Sequence, residues 1–194
     1  MSLNAEQQSQ VDALIAQKAQ KYSISPILIR AVIQQESNWD LDARLWEPSK
    51  NEASAGLMQV LPSTAEWILE RELSIEDLYK PEINIEAGVK YLSYLTGRYS
   101  QQGLEAIIAS YNAGSPRLNS AGEYVNQGYV DKVLTYMTMY EELGGAAQAA
   151  ASAYSKITGG PESGSPDAPI VLVLLSAGIL FFDVFKFWHK RRKV

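Results

Sequence analysis

A carboxyl group, Glu36, stands on the apolar side of a predicted helix in the stretch AVIQQESNWD, residues 31–40. Upstream, Ile29, Val32 and Ile33 recur at the three- and four-residue steps of one helical face, and Glu36 is the next member of that stripe. Because unpaired carboxylates are rarely buried, one interpretation is a solvated charge at the end of the helix. The other is a carboxyl held in a cleft, where a raised pKa makes it an acid catalyst.

The residue types that are scarce in this chain restrict its chemistry. The 194 residues include no cysteine and one histidine, His189. Cysteine nucleophiles and thiolate zinc sites are therefore excluded, and a Ser-His-Asp triad or a zinc amidase is disfavoured. Hydrolytic chemistry has to use carboxylates, hydroxyls and amides, and we expect no metal and no organic cofactor.

The charge is distributed unevenly along the chain. Five lysines and arginines lie within residues 186–193, and residues 1–182 carry a net charge of −9. A domain with this much negative charge lacks the basic surface of a nucleic-acid-binding protein. We therefore expect no nucleic-acid partner.

The elements that must position Glu36 are predicted to be helices, since no stretch of residues 1–143 alternates in the manner of a strand. The fold class is accordingly all-α, with six or seven helices. Ser25 and Pro26 are typical of an N-cap and a first helical position. Five other helices are predicted. The first covers residues 5–21, the second begins near Ser63, and the third has Asn84 as its N-cap. The fourth runs from Gly103 to a C-cap at Gly114, and the fifth includes Tyr129–Tyr140.

The C-terminal quarter differs in composition from this domain. Residues 144–168 are rich in Ala, Gly, Ser and Pro and predict a linker, helical at most in its Ala-rich half. Residues 169–188 are long and apolar enough to predict a transmembrane helix, followed by a basic tail at 189–194. A buried or partner-binding helix is the alternative. The basic tail places the C-terminus on the cytoplasmic side, and the polar N-terminus does not resemble a signal peptide.

Four short motifs in the helical domain carry a family resemblance: QES at 35–37, GLMQV at 56–60, NI at 84–85 and SYNAG at 110–114. In this order and with these gaps, residues 22–142 resemble the SLT-type lytic transglycosylases of family 1, which share the goose-type lysozyme fold. The resemblance implies a lysozyme-like domain that cleaves the β-1,4 bond between N-acetylmuramic acid and N-acetylglucosamine in peptidoglycan. The product would be a 1,6-anhydromuramic end.

By this resemblance Glu36 is the catalytic acid and later the base, while the substrate's own N-acetyl group replaces a second carboxylate. Gly56 would let the backbone approach the sugar, and the amide of Gln59 would bind it. The hydroxyl of Tyr111 would lie near Glu36. The remaining candidate substrate-binding residues are Ser37, Met58, Asn112 and Tyr129. Ser37 would orient Glu36 or the helix end, and Met58 would form cleft wall or core. Asn112 would pair with a sugar or with backbone, and Tyr129 would line the cleft or only pack.

Two other functions remain open at this level. A goose-type muramidase would use water, with Asp40, Asp42 or Glu52 as its second carboxylate. A membrane-anchored protein that binds glycan without cleaving it is the other. In either enzyme the partner is the peptidoglycan strand, and the setting is a phage virion during genome entry or an envelope-spanning machine.

Overall fold

A computed structural model of the protein describes residues 3–158, which fall within two compact units, Met1–Thr138 and Met139–Val194. The described residues form six α-helices, one β-hairpin and two short 3-10 helices. The helices are α1 (Ala5–Tyr22), α2 (Pro26–Glu36), α3 (Pro62–Leu69), α4 (Pro81–Tyr99), α5 (Leu104–Ala113) and α6 (Gln127–Thr158); the strands are β1 (Arg44–Glu47) and β2 (Glu52–Ala55); the 3-10 helices are Glu76–Tyr79 and Ser100–Gln102.

The core of the first unit is built around α4, which packs against α1, α3 and α5. The predicted apolar stripe of α4 is fully buried, as is most of the stripe of α2 that precedes Glu36. Burial of these stripes supplies the main driving force for packing the helices. The buried side chains of the two stripes are Ile85, Val89, Leu92 and Leu95 in α4, and Ile29, Val32 and Ile33 in α2.

Most predicted helix starts and stops are confirmed. The Ser25 hydroxyl accepts a hydrogen bond from the backbone N–H of Leu28, and Pro26 is the first residue of α2. Gly114 ends α5 with a φ of 76°, the left-handed conformation that glycine adopts without strain. The prediction for Asn84 is wrong: α4 begins at Pro81, and Asn84 lies inside its first turn, fully buried.

The prediction of an all-α fold needs one correction, the antiparallel hairpin β1–β2. Arg44 pairs with Ala55 and Glu47 pairs with Glu52. The strands are four residues long, and β1 has its first three residues exposed while β2 has its last three buried. Neither strand therefore shows the period-two alternation by which a strand is predicted from sequence.

The predicted linker is helical in its first part, because α6 continues through residues 144–158. The predicted membrane span, residues 169–188, lies outside the described residues. Among residues 3–158, no helix has the length and apolar character needed to cross a bilayer.

A buried amide holds the loop that follows the hairpin. The Asn84 side chain accepts a hydrogen bond from the Met58 N–H at 2.8 Å and donates to the carbonyls of Ala55 and Leu78, each at 2.8 Å. Gly56 lies against this amide with a φ of 74°, and a Cβ there would come within 2.4 Å of the Asn84 amide nitrogen. The close approach that requires glycine at this position is therefore to Asn84 and the Leu78 carbonyl, both within the protein.

We expect Asn84→Leu to lower the free energy of unfolding by roughly 3 kcal/mol or more, because it leaves the Met58 N–H and the Leu78 carbonyl buried without this partner and removes one of the two donors to the Ala55 carbonyl. Urea unfolding measures this change. Gln102→Leu, at an exposed position, is the control and should change the free energy by less than about 0.5 kcal/mol. A loss below about 1 kcal/mol at Asn84 would show that the loop finds other partners.

Candidate active site

Glu36 is the last residue of α2, and its carboxyl is largely withdrawn from solvent at the end of the buried stripe. Burial raises its pKa to about 7, because a desolvated carboxylate is less stable than the neutral acid. A hydrogen bond from Tyr129 opposes this rise, and the nearby charge of Glu47 adds to it. The site thus holds one carboxyl that is poised to exchange a proton near neutral pH.

Tyr129, in the first turn of α6, donates its hydroxyl hydrogen to Oε1 of Glu36 at 2.6 Å. Burial, followed by the charge of Glu36, raises the pKa of Tyr129 well above its usual value, so the phenol stays protonated and remains a donor. Since Oε1 accepts this bond, a proton carried by Glu36 sits on Oε2. The residue predicted to line the cleft or only to pack thus contacts the acid directly.

Tyr111 of α5 lies near Glu36 but is bonded elsewhere. Its hydroxyl donates to the carbonyl of Met58 at 2.9 Å, and within residues 3–158 it forms no hydrogen bond with Glu36. Burial raises the pKa of Tyr111 well above its ordinary value, and the charge of Glu36 contributes to this rise. Tyr111 therefore connects α5 to the loop of residues 56–60 beside the acid.

Ser37 fastens the end of α2 to the same loop. Its Oγ lies 2.8 Å from the carbonyl oxygen of Leu57, to which it donates, and 3.2 Å from that of Ile33. No hydrogen bond joins Ser37 to Glu36 in the part of the chain that the structure describes. Of the two predicted roles for Ser37, the geometry gives the one that orients the helix end.

Two predicted sugar-binding side chains are occupied inside the protein. The amide nitrogen of Gln59 donates to the carbonyls of Ala43 and Gly56 at 2.9 and 2.8 Å, and its oxygen accepts from Ser54 at 3.1 Å. Both donor hydrogens of Gln59 are used, so the predicted donation to a sugar does not fit this arrangement. Met58 is fully buried and packs against Gly88, which corrects its place among the substrate-binding residues to a core position.

Asn112 is the exposed member of the predicted set. Its side-chain oxygen accepts a hydrogen bond from the amide of Asn126 at 3.0 Å, and Asn126 also donates to the carbonyl of Ala109. Asn112 is exposed, and among residues 3–158 its amide nitrogen forms no hydrogen bond. Asn112 is thus paired with a side chain, where a sugar or backbone partner was expected.

A second carboxylate near Glu36 is Glu47, which no motif of the sequence marks as a site residue. Glu47 ends β1, is half-buried, and its side chain has no hydrogen bond or ion pair within residues 3–158. The acids that were considered lie in other surroundings. Glu52 accepts from the backbone N–H of Ser63, Asp40 accepts from the N–H of Asp42, and Asp42 is exposed. Only the hairpin register brings Glu47 to this position.

The turn that follows Glu36 is strained and held by one amide. Asn38 and Trp39 have φ values of 52° and 64°, which are unfavourable for a residue as bulky as tryptophan. The Gln34 side chain donates to Asn38 at 2.5 Å and accepts from the Trp39 indole at 2.9 Å. The Gln34 amide thus bridges the two residues of this turn that have left-handed backbone conformations. In the sequence, Gln34 stands beside the apolar stripe of α2, and no local pattern predicts these contacts.

No group of three or more histidine, cysteine or acidic side chains with the arrangement of a metal site occurs among the described residues.

Comparison with known proteins identifies the family of this domain. The model of the transglycosylase SLT domain matches residues 13–133. The chain belongs to this family. A soluble lytic murein transglycosylase of Salmonella typhimurium is 34% identical over 151 residues, which cover 65% of this chain and 22% of that protein. A membrane-bound lytic murein transglycosylase C of Haemophilus influenzae is 31% identical over 146 residues, covering 64% of this chain and 39% of that protein.

The SLT domain described here is also similar to a solved structure, an inactive glutamate-to-glutamine mutant of the lytic transglycosylase Slt from Pseudomonas aeruginosa. The TM-score is 0.55 at 26% sequence identity, over 67% of this chain and 24% of that one. The chain spans between a fifth and two fifths of the length of these relatives. The predicted SLT and lysozyme-like fold is confirmed.

The two neighbours of Glu36 should shift its pKa in opposite directions. We expect Glu47→Gln to lower the pKa from about 7, since it removes a negative charge that disfavours ionisation. Tyr129→Phe should raise it, since it removes a hydrogen bond to the carboxylate. A carbon NMR titration of the Glu36 carboxyl measures both shifts. Asp42→Asn, on the same segment but exposed, is the control and should leave the pKa unchanged. Equal shifts in all three variants would contradict this assignment.

The raised pKa also predicts that Glu36 destabilises the fold above neutral pH. The stability that comes from burying Glu36 in its neutral form is fully present below about pH 4.5, the ordinary pKa of a glutamate. It is lost as the pH rises through about 7, the pKa of Glu36 in the fold. We expect Glu36→Gln to increase the free energy of unfolding by roughly 1 to 3 kcal/mol at about pH 8, and to have little effect at about pH 4. Urea unfolding at the two pH values tests this. A stabilisation of the same size at both would show that burial of the charge is not its cause.

Proposed function

We propose that this SLT domain is a peptidoglycan lytic transglycosylase that cleaves the bond between N-acetylmuramic acid and N-acetylglucosamine. The observation that carries the proposal is a single, largely buried glutamate with a pKa near 7, held by a tyrosine hydroxyl. Membership of the family and the names of the relatives support the same reaction.

The first step uses Glu36 as an acid. Its proton, carried on Oε2, passes to the glycosidic oxygen, and the bond from that oxygen to the anomeric carbon of the muramic residue breaks. The N-acetyl oxygen of the same sugar attacks the anomeric carbon and forms an oxazolinium ion. Glu36 is now a carboxylate, and the hydrogen bond from Tyr129 stabilises that form.

The second step uses Glu36 as a base. The carboxylate removes the proton from the C6 hydroxyl, and O6 attacks the anomeric carbon, which closes the 1,6-anhydro ring and restores the N-acetyl group. The proton that Glu36 gave up leaves on the hydroxyl of the departing N-acetylglucosamine, the proton from the C6 hydroxyl restores the acid, and no water is consumed. A pKa near 7 suits a group that must donate and then accept a proton at neutral pH.

Glu47 supports a second candidate function, that of a muramidase, which cleaves the same bond with water. Glycosidases that hydrolyse with inversion need a second carboxylate to activate a water molecule, and the charge of Glu47 acts on Glu36. In a transglycosylase the same negative charge would favour the cationic intermediate and keep Glu36 protonated beforehand.

The setting of the reaction is a further part of the proposal. We propose that the predicted helix at residues 169–188 anchors the domain to a membrane beside the cell wall. One relative is named a membrane-bound transglycosylase. Association with a virion or an envelope-spanning machine stays a prediction from the sequence.

Digestion of purified peptidoglycan with the full-length chain, followed by mass spectrometry of the products, tests the activity. We expect muropeptides one water lighter than the hydrolysis products, and a rate about 10²- to 10⁴-fold lower for Glu36→Gln. Fragments with full-mass reducing ends, lost in Glu47→Gln, would instead establish the muramidase. A folded wild-type chain that releases no fragments would reject both enzymes.

A further inference from the structure

A row of aromatic side chains leads from the acid to the surface. Tyr111, beside Glu36, lies 5.5 Å from Tyr91 between ring centroids, and Tyr91 lies 6.3 Å from Trp67. Tyr94 joins the row at its outer end, 4.8 Å from Trp67 in an edge-to-face contact and 6.3 Å from Tyr91. We call these four residues, Tyr111, Tyr91, Tyr94 and Trp67, the aromatic row.

The outer end of the aromatic row is exposed. Trp67 is 52% exposed and Tyr94 is 39% exposed, although aromatic rings of this size are normally buried deeply. Tyr91 and Tyr94 lie three residues apart on one face of α4, and α3 carries Trp67 against them. The contacts between the rings hold each of them in place, so a ligand would meet a preformed surface.

The chemistry of the exposed end favours a neutral amphipathic ligand. Within residues 3–158 the Trp67 indole N–H has no hydrogen-bond acceptor, so it faces solvent beside a flat apolar ring. The Tyr94 hydroxyl accepts from Arg98 at 3.3 Å and has further capacity. A pyranose ring has the matching character, with C–H groups on its face and hydroxyl and acetamido groups at its edge.

We infer that the aromatic row is a glycan-binding subsite, which holds sugars of the peptidoglycan strand beyond the disaccharide that is cleaved. The inference rests on the proposed function, since the row joins the proposed catalytic centre at Tyr111. Tyr91 lies between Tyr111 and Trp67, with its ring centroid 5.5 Å from that of Tyr111 and 6.3 Å from that of Trp67. A strand bound at Glu36 would therefore reach Trp67 only if it extends past the reacting sugars.

The test compares strand lengths. Glycan strands freed of their stem peptides, and a short oligosaccharide that spans only the cleaved bond, are given to full-length wild type and Trp67→Ala. We expect Trp67→Ala to raise KM for long strands about three- to tenfold, the range of one aromatic contact, with kcat unchanged. The short substrate should show no change, and Trp67→Phe should recover most of the loss. Tyr94→Ala should give a smaller loss of the same kind.

Leu104→Ala is the control for removing an exposed apolar side chain, because Leu104 is 39% exposed and lies outside the aromatic row. It should leave KM for both substrates unchanged. Equal losses on short and long substrates in Trp67→Ala would overturn the inference, since they would indicate damage to the catalytic centre. A loss seen only with strands that keep their stem peptides would also overturn it and assign the row to the peptide.

Binding to the Glu36→Gln variant separates this inference from the proposed function. Long stripped strands should quench the fluorescence of this variant, and adding Trp67→Ala should weaken the binding by the same three- to tenfold factor. Binding that depends on Trp67, in a chain that cleaves nothing, would keep the subsite and reject the enzyme. Cleavage with binding and KM independent of Trp67 and Tyr94 would keep the enzyme and reject the subsite.

Discussion

The buried amide of Asn84 is the interaction on which the site depends. It joins α4 to the backbone on both sides of Gly56 and to the Leu78 carbonyl, and these contacts use both of its amide hydrogens. In the loop of residues 56–60, backbone groups bond to the N–H groups of Gly56, Gln59 and Val60, whereas the buried Met58 N–H is satisfied by the Asn84 side chain. Because the loop is fixed, the Leu57 carbonyl can accept a hydrogen bond from Ser37, and the Met58 carbonyl can accept one from Tyr111. The catalytic helix and α5 are thus tied to one scaffold.

At Glu36 the same fold sets two opposing influences against each other. Withdrawal from water favours the neutral acid, and Glu47 strengthens that preference, while the Tyr129 hydroxyl favours the anion. A carboxyl that was only buried would be a poor base, and one that was only hydrogen-bonded would be a poor acid. The balance near neutral pH lets a single residue serve in both roles. The cost is a lower free energy of unfolding above neutral pH, where the buried carboxyl is ionised.

The aromatic row extends the scaffold outward. Tyr111 belongs both to the centre, through the Met58 carbonyl, and to the row, through its contact with Tyr91. A strand that lay along Trp67 and Tyr94 would be held by rings already fixed against one another. Binding energy gained there would bring the scissile bond to Glu36 without a change in the acid itself.

The sequence by itself determined the helical domain and the acid. The apolar stripes of α2 and α4, the cap at Ser25 and the ends at Pro26 and Gly114 depend on neighbours within a few residues, which a sequence shows directly. Only the tertiary structure decided what surrounds Glu36. The hairpin that brings Glu47 near it, the hydroxyl of Tyr129, 93 residues away, and the inward use of Gln59 all follow from contacts between distant segments. Local patterns carry no record of such contacts, because the residues that form them are neighbours only after the helices have packed.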